Sequence, residues 1–284
     1  MREVTLPAGD KLPALGLGTW KMGEQARQQP AEVAAVRRAL EIGYRLIDTA
    51  EMYGEGGAET VVGQALAEAL RAGTVTRQDI FIVSKVYPHN ASRAGVQAAC
   101  ERSLKRMGID TIDLYLLHWR GGVPLAETLA GFQALQQRGW IRRWGVSNFD
   151  RDDLLELAAL PGGDECAANQ VYYSLSQRGI EFDVAPWQRQ RGMPVMAYSP
   201  IDQGALAEQP GLDEIAARHA ATPAQVALAW LMAQPGTIAI PKAVREAHLH
   251  ENLAAAGITL SADDLAQLDL LFPPPRRKQP LAML

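Results

Sequence analysis

Leu46-Ile47-Asp48-Thr49-Ala50-Glu51-Met52-Tyr53 decides the fold, because a short apolar run ends there on an acid and a phenol follows. The pattern recurs twice. Phe81-Ile82-Val83-Ser84 ends on Lys85, and Leu114-Tyr115-Leu116-Leu117 ends on His118. Each step between these ends is about one βαβ unit, roughly 30 or more residues. Parallel neighbouring strands would bring carboxylate, ammonium, imidazole and phenol to one rim.

Outward from these runs, helical and strand-like segments alternate. Val33, Val36 and Leu40 recur at helical spacing from Pro30 to Ile42, as do Val62, Leu66, Ala69 and Leu70, and then Val96, Cys100, Ser103 and Met107. Further strand-like runs are 141–147, 166–172, 194–199 and 237–241. Val4 to Trp20 alternates around Ala8-Gly9-Asp10, which predicts an opening hairpin. Thr222-Pro223-Ala224-Gln225 is a capping-box start. Ser261-Ala262-Asp263 predicts an extra C-terminal helix with Leu265, Leu268 and Phe272 on one face. Counted from Leu15, eight strands alternate with helices and no linker divides the chain. The expectation is an α/β protein, a single (β/α)8 TIM barrel domain over residues 1–284. Barrel active sites collect at the C-terminal ends of the strands. Asp48, Lys85, His118, Ser147-Asn148, Asn169-Gln170, Tyr198-Ser199 and Lys242 stand there in barrel order.

Of 284 residues, 48% are hydrophobic, ample for one large core, and the net charge is only -4. No window joins Lys or Arg to aromatics, so nucleic acid and membrane surfaces are not expected partners. The basic cluster Arg276-Arg277-Lys278 reads as a solvated terminus. Two cysteines, Cys100 on a helix and Cys166 at a strand start, make no disulfide framework and no metal-ligand spacing. With no leader-like start and no long apolar run, the expectation is a cytoplasmic, metal-free protein, with a monomer favoured.

Gly16-Leu17-Gly18-Thr19-Trp20, Asp48-Thr49-Ala50 with Tyr53-Gly54, Lys85, His118 and Gly145-Val146-Ser147-Asn148-Phe149 together resemble the aldo-keto reductase family. Ala197-Tyr198-Ser199-Pro200, Ile240-Pro241-Lys242 and Glu251-Asn252 carry the resemblance to the barrel's end. The short loops are most similar to bacterial members that reduce methylglyoxal and similar small aldehydes.

The resemblance implies hydride transfer from NADPH to a carbonyl, with Tyr53 as proton donor, Lys85 and Asp48 as its support and His118 orienting the carbonyl oxygen. A phenol near pKa 10 is a weak acid, and lowering it to about 8 takes roughly 2.7 kcal/mol. A Lys ammonium about 4 Å away at an effective dielectric of about 20 supplies about 4 kcal/mol, so Lys85 alone suffices in magnitude. Carried over the same way, Ser147, Asn148 and Gln170 match contacts to the nicotinamide carboxamide, and Tyr198, followed by Ser199 and Pro200, matches the ring that stacks on it. Gly18, Thr19, Trp20 and Asp48 fall at the nicotinamide end. Lys242 matches the 2'-phosphate contact, and Glu251 and Asn252 match contacts near adenine. Two positions depart from the family pattern: Ala243 stands for Ser and His248 for Arg. An Arg fork binds phosphate bidentately and His does so less well, so NADPH is favoured over NADH by a reduced margin. Arg245 stands close enough in sequence to compensate.

Gly16-x-Gly18 is not a dinucleotide fingerprint, since the next glycine is Gly23. Trp20, Tyr53, Tyr87, His118 and Trp119 would line the substrate pocket, and short loops favour small or aromatic aldehydes and 2-oxoaldehydes. Two rivals stand beside this reading. Lys85 or Lys242 could form a Schiff base in an aldolase or lyase, or the barrel could be a non-catalytic nicotinamide-sensing subunit.

Overall fold

The computed structural model describes residues 2–284. A hairpin of β1 (Glu3–Thr5) and β2 (Lys11–Pro13) comes first, with Val4 opposite Leu12. Eight parallel strands follow: β3 (Leu17–Gly18), β4 (Leu46–Asp48), β5 (Phe81–Val86), β6 (Ile112–Leu117), β7 (Ile141–Ser147), β8 (Asn169–Tyr172), β9 (Val195–Tyr198) and β10 (Thr237–Ala239). They pair in sequence order. Parallel bridges Leu15–Ala239 and Gly18–Lys242 join the last strand to the first. Gly16 N donates to Ala239 O (2.8 Å), Ala239 N to Ala14 O (2.8 Å) and Gly18 N to Pro241 O (3.0 Å), closing the barrel.

The helices are α1 (Gln29–Ile42), α2 (Gly57–Arg71), α3 (Arg93–Met107), α4 (Leu125–Gln137), α5 (Arg151–Ala158), α6 (Val184–Gln190), α7 (Asp213–Arg218), α8 (Pro223–Ala233), α9 (Glu246–Ala255) and α10 (Ala262–Leu271). Strands covered on both faces lose their alternation. β6 is buried at every residue, which is why it reads as one apolar run. Helices start where short polar side chains satisfy orphan amides: Ser92 Oγ accepts from Gly95 N, and Thr222 and Gln225 form the expected capping box of α8.

Local expectations fail in two places. Cys166 lies before β8 rather than at its start. Of the apolar residues on α10 only Leu268 is buried; Leu265 is 37% exposed and Phe272 is the C-cap, so the apolar stripe is one residue wide. Polar bonds hold α10 instead. Asp264, 2% exposed, accepts from Arg218 Nη2 (2.7 Å), from Ser261 N (2.8 Å) and faces His219 Nε2 (2.8 Å). Burial alone would raise this carboxyl, but hydrogen bonds from His219, Ser261 and Arg218 outweigh it and hold the pKa below the usual carboxylate range. A depressed pKa stabilises above the unfolded carboxylate value and loses that contribution as pH falls through the folded one. Asp264→Asn should therefore cost about 2 kcal/mol by denaturant unfolding at neutral pH, a difference that shrinks below about pH 4. An unchanged midpoint would refute the tie.

Candidate active site

Asp48, Lys85 and His118 come to one rim because β4, β5 and β6 are neighbours in register, with Asp48 opposite Val83 and Lys85 opposite Leu116. Tyr53 joins them through a tight turn beyond β4, where Gly54 (φ 57°) and Glu55 (φ 50°) are left-handed. That turn packs backbone to backbone on the segment after β3: a Cβ on Gly57 would lie 2.3 Å from Gly23 O, and one on Gly54 2.8 Å from it. Glycine is required there by close approach.

Lys85 Nζ lies 2.8 Å from Asp48 Oδ2, 2.9 Å from Thr49 O and 3.0 Å from the Tyr53 hydroxyl oxygen. Lys85 is fully buried, Asp48 2% and Tyr53 8% exposed. The His118 ring stands edge-on to Tyr53 at 5.7 Å, and His118 Nδ1 is buried without a partner. An ammonium, a phenol and an imidazole ring thus converge.

Burial sets the protonation states. It pushes Asp48 up, against the opposing pull of Lys85 and Gln170, and pushes Lys85 down, against Asp48. Burial, then the Lys85 charge, holds His118 well below 6.5, so its imidazole is neutral at pH 7. Tyr53 is pushed well above 10, by burial first and then by Asp48. Desolvation and the Asp48 charge thus act against the lowering of the phenol expected from the Lys85 ammonium.

Further round the rim, Gln170 Nε2 donates to Asp48 Oδ1 (2.7 Å) and Ser147 Oγ to Gln170 O (2.8 Å). Asn148, left-handed at φ 58°, donates from Nδ2 to His118 O (3.1 Å) and accepts from the Tyr198 hydroxyl (2.9 Å). Tyr198 stacks on Tyr172 at 5.6 Å, and Ser199 (φ 47°) turns the chain into buried Pro200. Thr19 Oγ1 donates to Asp48 O (2.9 Å). Gly18 lies opposite Asp48. Trp20 is half-buried under Lys21 (4.5 Å). The Tyr87 ring is edge-on to Trp119 (5.9 Å), which lies 5.0 Å from His118.

One strand beyond Gly18, Lys242 and Arg245 are exposed, and among the described residues neither has an acidic partner within 4.0 Å. Arg245 Nη2 faces His248 Nε2 at 2.6 Å, while Glu246 turns to Arg38 (2.7 Å). Ala243 is buried and offers no polar side-chain atom. Glu251 is half-buried, its carbonyl accepting from Gln225 (3.0 Å), and Asn252 is buried beside the Tyr44 phenol. The rim thus runs from a buried, amide-rich end to an exposed cationic one. Two acids escaped the sequence reading: Glu51, 4% exposed, and Glu59, fully buried between Ser84 (2.6 Å) and Arg106 (2.8 Å). Their signal was an acid set among small or apolar residues beside a predicted strand end or on a helix face.

Residues 14–271 match the model of the aldo/keto reductase family. The chain belongs to that family. It is an oxidoreductase. Methylglyoxal reductase YeaE of Escherichia coli (strain K12) is 50% identical over 283 residues, spanning 98% of this chain and 97% of the relative. An aldo-keto reductase from Klebsiella pneumoniae, solved in complex with NADPH, superposes with a TM-score of 0.94 at 46% identity and full coverage of both chains. A Klebsiella pneumoniae aldo/keto reductase structure with NADP and acetate also superposes at 0.94, with 47% identity and 99% coverage of each chain. Among the described residues no helix is long and apolar enough to cross a membrane.

Proposed function

We propose that this chain reduces small aldehydes and 2-oxoaldehydes such as methylglyoxal, and some ketones, to alcohols with NADPH. The observation that carries the reading is the buried Asp48–Lys85–Tyr53 chain of contacts at 2.8 and 3.0 Å beside His118. The names of the YeaE relative and of the NADPH complex support it. The residues present fit the cofactor. Ser147, Asn148 and Gln170 offer amide and hydroxyl groups at the buried end, Tyr198 a ring face, and Lys242 and Arg245 two unneutralised cations at the other. A phosphate monoester suits such a pair.

NADPH, when bound, supplies the hydride. Neutral His118 hydrogen-bonds the carbonyl oxygen and orients it. Tyr53, kept protonated by burial, gives its proton as negative charge grows on that oxygen. Lys85 then faces a phenolate at 3.0 Å, worth about 5 kcal/mol at an effective dielectric of about 20. The ammonium thus acts on the state after transfer rather than on the resting phenol. Asp48 keeps Lys85 charged and aimed. Trp20, Tyr87 and Trp119 form the aromatic wall.

The Schiff-base rival is disfavoured for Lys85, whose nitrogen already meets three groups and is fully buried. The sensing-subunit rival needs no phenol beside an ammonium. We read residues 1–284 as one domain, monomeric and cytoplasmic. Its two buried, free cysteines suit a reducing compartment.

The test follows loss of reduced-cofactor absorbance with methylglyoxal, glyceraldehyde and nitrobenzaldehyde, with NADPH and NADH in parallel. Turnover should favour NADPH. Lys242→Met and Arg245→Met should each raise KM for NADPH about five- to tenfold and leave that for NADH nearly unchanged. No turnover with any aldehyde would sink the reading.

A further inference from the structure

The β4–β5 ladder does not stop where β4 ends. Thr49 N donates to Val83 O (2.9 Å) and Glu51 N to Lys85 O (3.3 Å), so pairing runs on towards the rim. The next rung of such a ladder is a bond from the Tyr87 amide to the chain at Glu51. There the chain has already turned, with Tyr53 N donating to Ala50 O (3.2 Å). The Glu51 carboxylate takes the rung instead: Oε1 accepts from Tyr87 N at 2.8 Å.

The same oxygen accepts from Asn90 Nδ2 (3.0 Å), and Oε2 accepts from Arg102 on α3 (3.2 Å). Glu51 thus joins the turn that carries Tyr53, the segment just beyond Lys85, and an outer helix. Arg102 is 46% exposed in its side chain, so that pair alone contributes little. Both bonds at the other oxygen go to residues 87–90. Tyr87 in turn braces the pocket wall, its hydroxyl donating to Glu55 Oε1 (2.9 Å) and its ring meeting His89 (4.5 Å) and Trp119 (5.9 Å). A half-buried amide left without its acceptor would turn towards water rather than stay in place.

We propose that Glu51 is a positioning residue for the reaction: its carboxylate fixes the Tyr87–Asn90 wall relative to Tyr53 and Lys85, and so sets how well aromatic aldehydes are held. This rests on the reductase reading and deepens it. A wall that drifts by about 1 Å loses an extended substrate far more than a three-carbon one.

Glu51→Met, Glu51→Gln and Arg102→Met, with Tyr53→Phe as control, test it. Met removes the acceptor, whereas Gln keeps an Oε1 that can still take Tyr87 N and Asn90 Nδ2 and loses the charge that faces Arg102. In Glu51→Met the KM for nitrobenzaldehyde should rise about tenfold, that for methylglyoxal less than about threefold, and kcat for both should fall severalfold. NADPH affinity by fluorescence should stay within about twofold, and hydrogen exchange at the Tyr87 amide should quicken. Glu51→Gln and Arg102→Met should move the same quantities less. A lowered Tm with an unchanged KM ratio and unchanged kcat in Glu51→Met would reduce Glu51 to a structural tie and overturn the proposal. Should Glu51→Met not fold, Glu51→Gln, whose amide oxygen accepts more weakly than a carboxylate, carries the comparison. Should the wild type show no turnover, the reductase reading fails, and Tyr87 exchange then decides: faster in the Glu51 variants upholds the clamp, unchanged overturns it.

Discussion

Tyr53→Phe should lower kcat for methylglyoxal reduction by about 10²- to 10⁴-fold, the contribution of a positioned general acid, while NADPH binding stays within about twofold. The substitution removes one oxygen and keeps the ring edge-on to His118. Lys85 retains Asp48 at 2.8 Å and Thr49 O at 2.9 Å, so the buried charge is not orphaned and the fold should hold. His118 cannot replace the donor, because burial and Lys85 keep its imidazole neutral and a weak acid. Wild-type reduction should be insensitive to pH near neutrality, since the phenol is held well above 10 and stays protonated. Residual activity within about fivefold of wild type would move the proton to another donor, and the reading of the site would have to change.

What the sequence made legible follows from where physical signals lie. Apolar runs ending on single ionisable residues placed Asp48, Lys85 and His118 correctly, because strand register transfers sequence order directly into space. Barrel closure was legible from the count of alternations. Burial was not: Tyr53 and Lys85 were judged as a pair at an intermediate dielectric, whereas desolvation sets the direction for both. Side-chain pairing across the barrel was equally hidden. Gln170 was read for its expected cofactor contact alone; its amide also meets Asp48 across 122 positions of sequence, which no local pattern encodes. Glu51 looked like a spacer between Asp48 and Tyr53. The short helix α7 and the turns from Asp202 to Leu212 went unread because one or two turns of helix carry too little periodicity. Leu265 fits a helical stripe but faces solvent, because Asp264 rather than apolar packing ties α10 to α7.

Lys85→Met should be nearly as damaging as loss of the phenol, lowering kcat by about 10³-fold, because about 4–5 kcal/mol of phenolate stabilisation disappears. It should also destabilise the fold, which Tyr53→Phe should not. Without the ammonium, Asp48 is left buried with Gln170 as its side-chain donor, and breaking a buried pair costs about 3–5 kcal/mol. The carboxyl would then relieve itself by taking a proton, a shift burial already favours. The double variant Asp48→Asn/Lys85→Met should therefore be more stable than Lys85→Met alone, yet no more active. That split separates charge support from catalysis: stability follows the balance of the pair, and rate follows the ammonium. In the wild type, protonation of Asp48 should weaken activity on the acid side, starting above the ordinary carboxylate range because its pKa is raised. Loss of the Lys85 proton should weaken it on the alkaline side, starting below the ordinary 10.5. Both limbs should vanish in the double variant, measured as kcat against pH at saturating NADPH. If Lys85→Met instead kept wild-type kcat and only stability fell, Lys85 would be a packing cation, and Tyr53 would need no electrostatic partner to give up its proton.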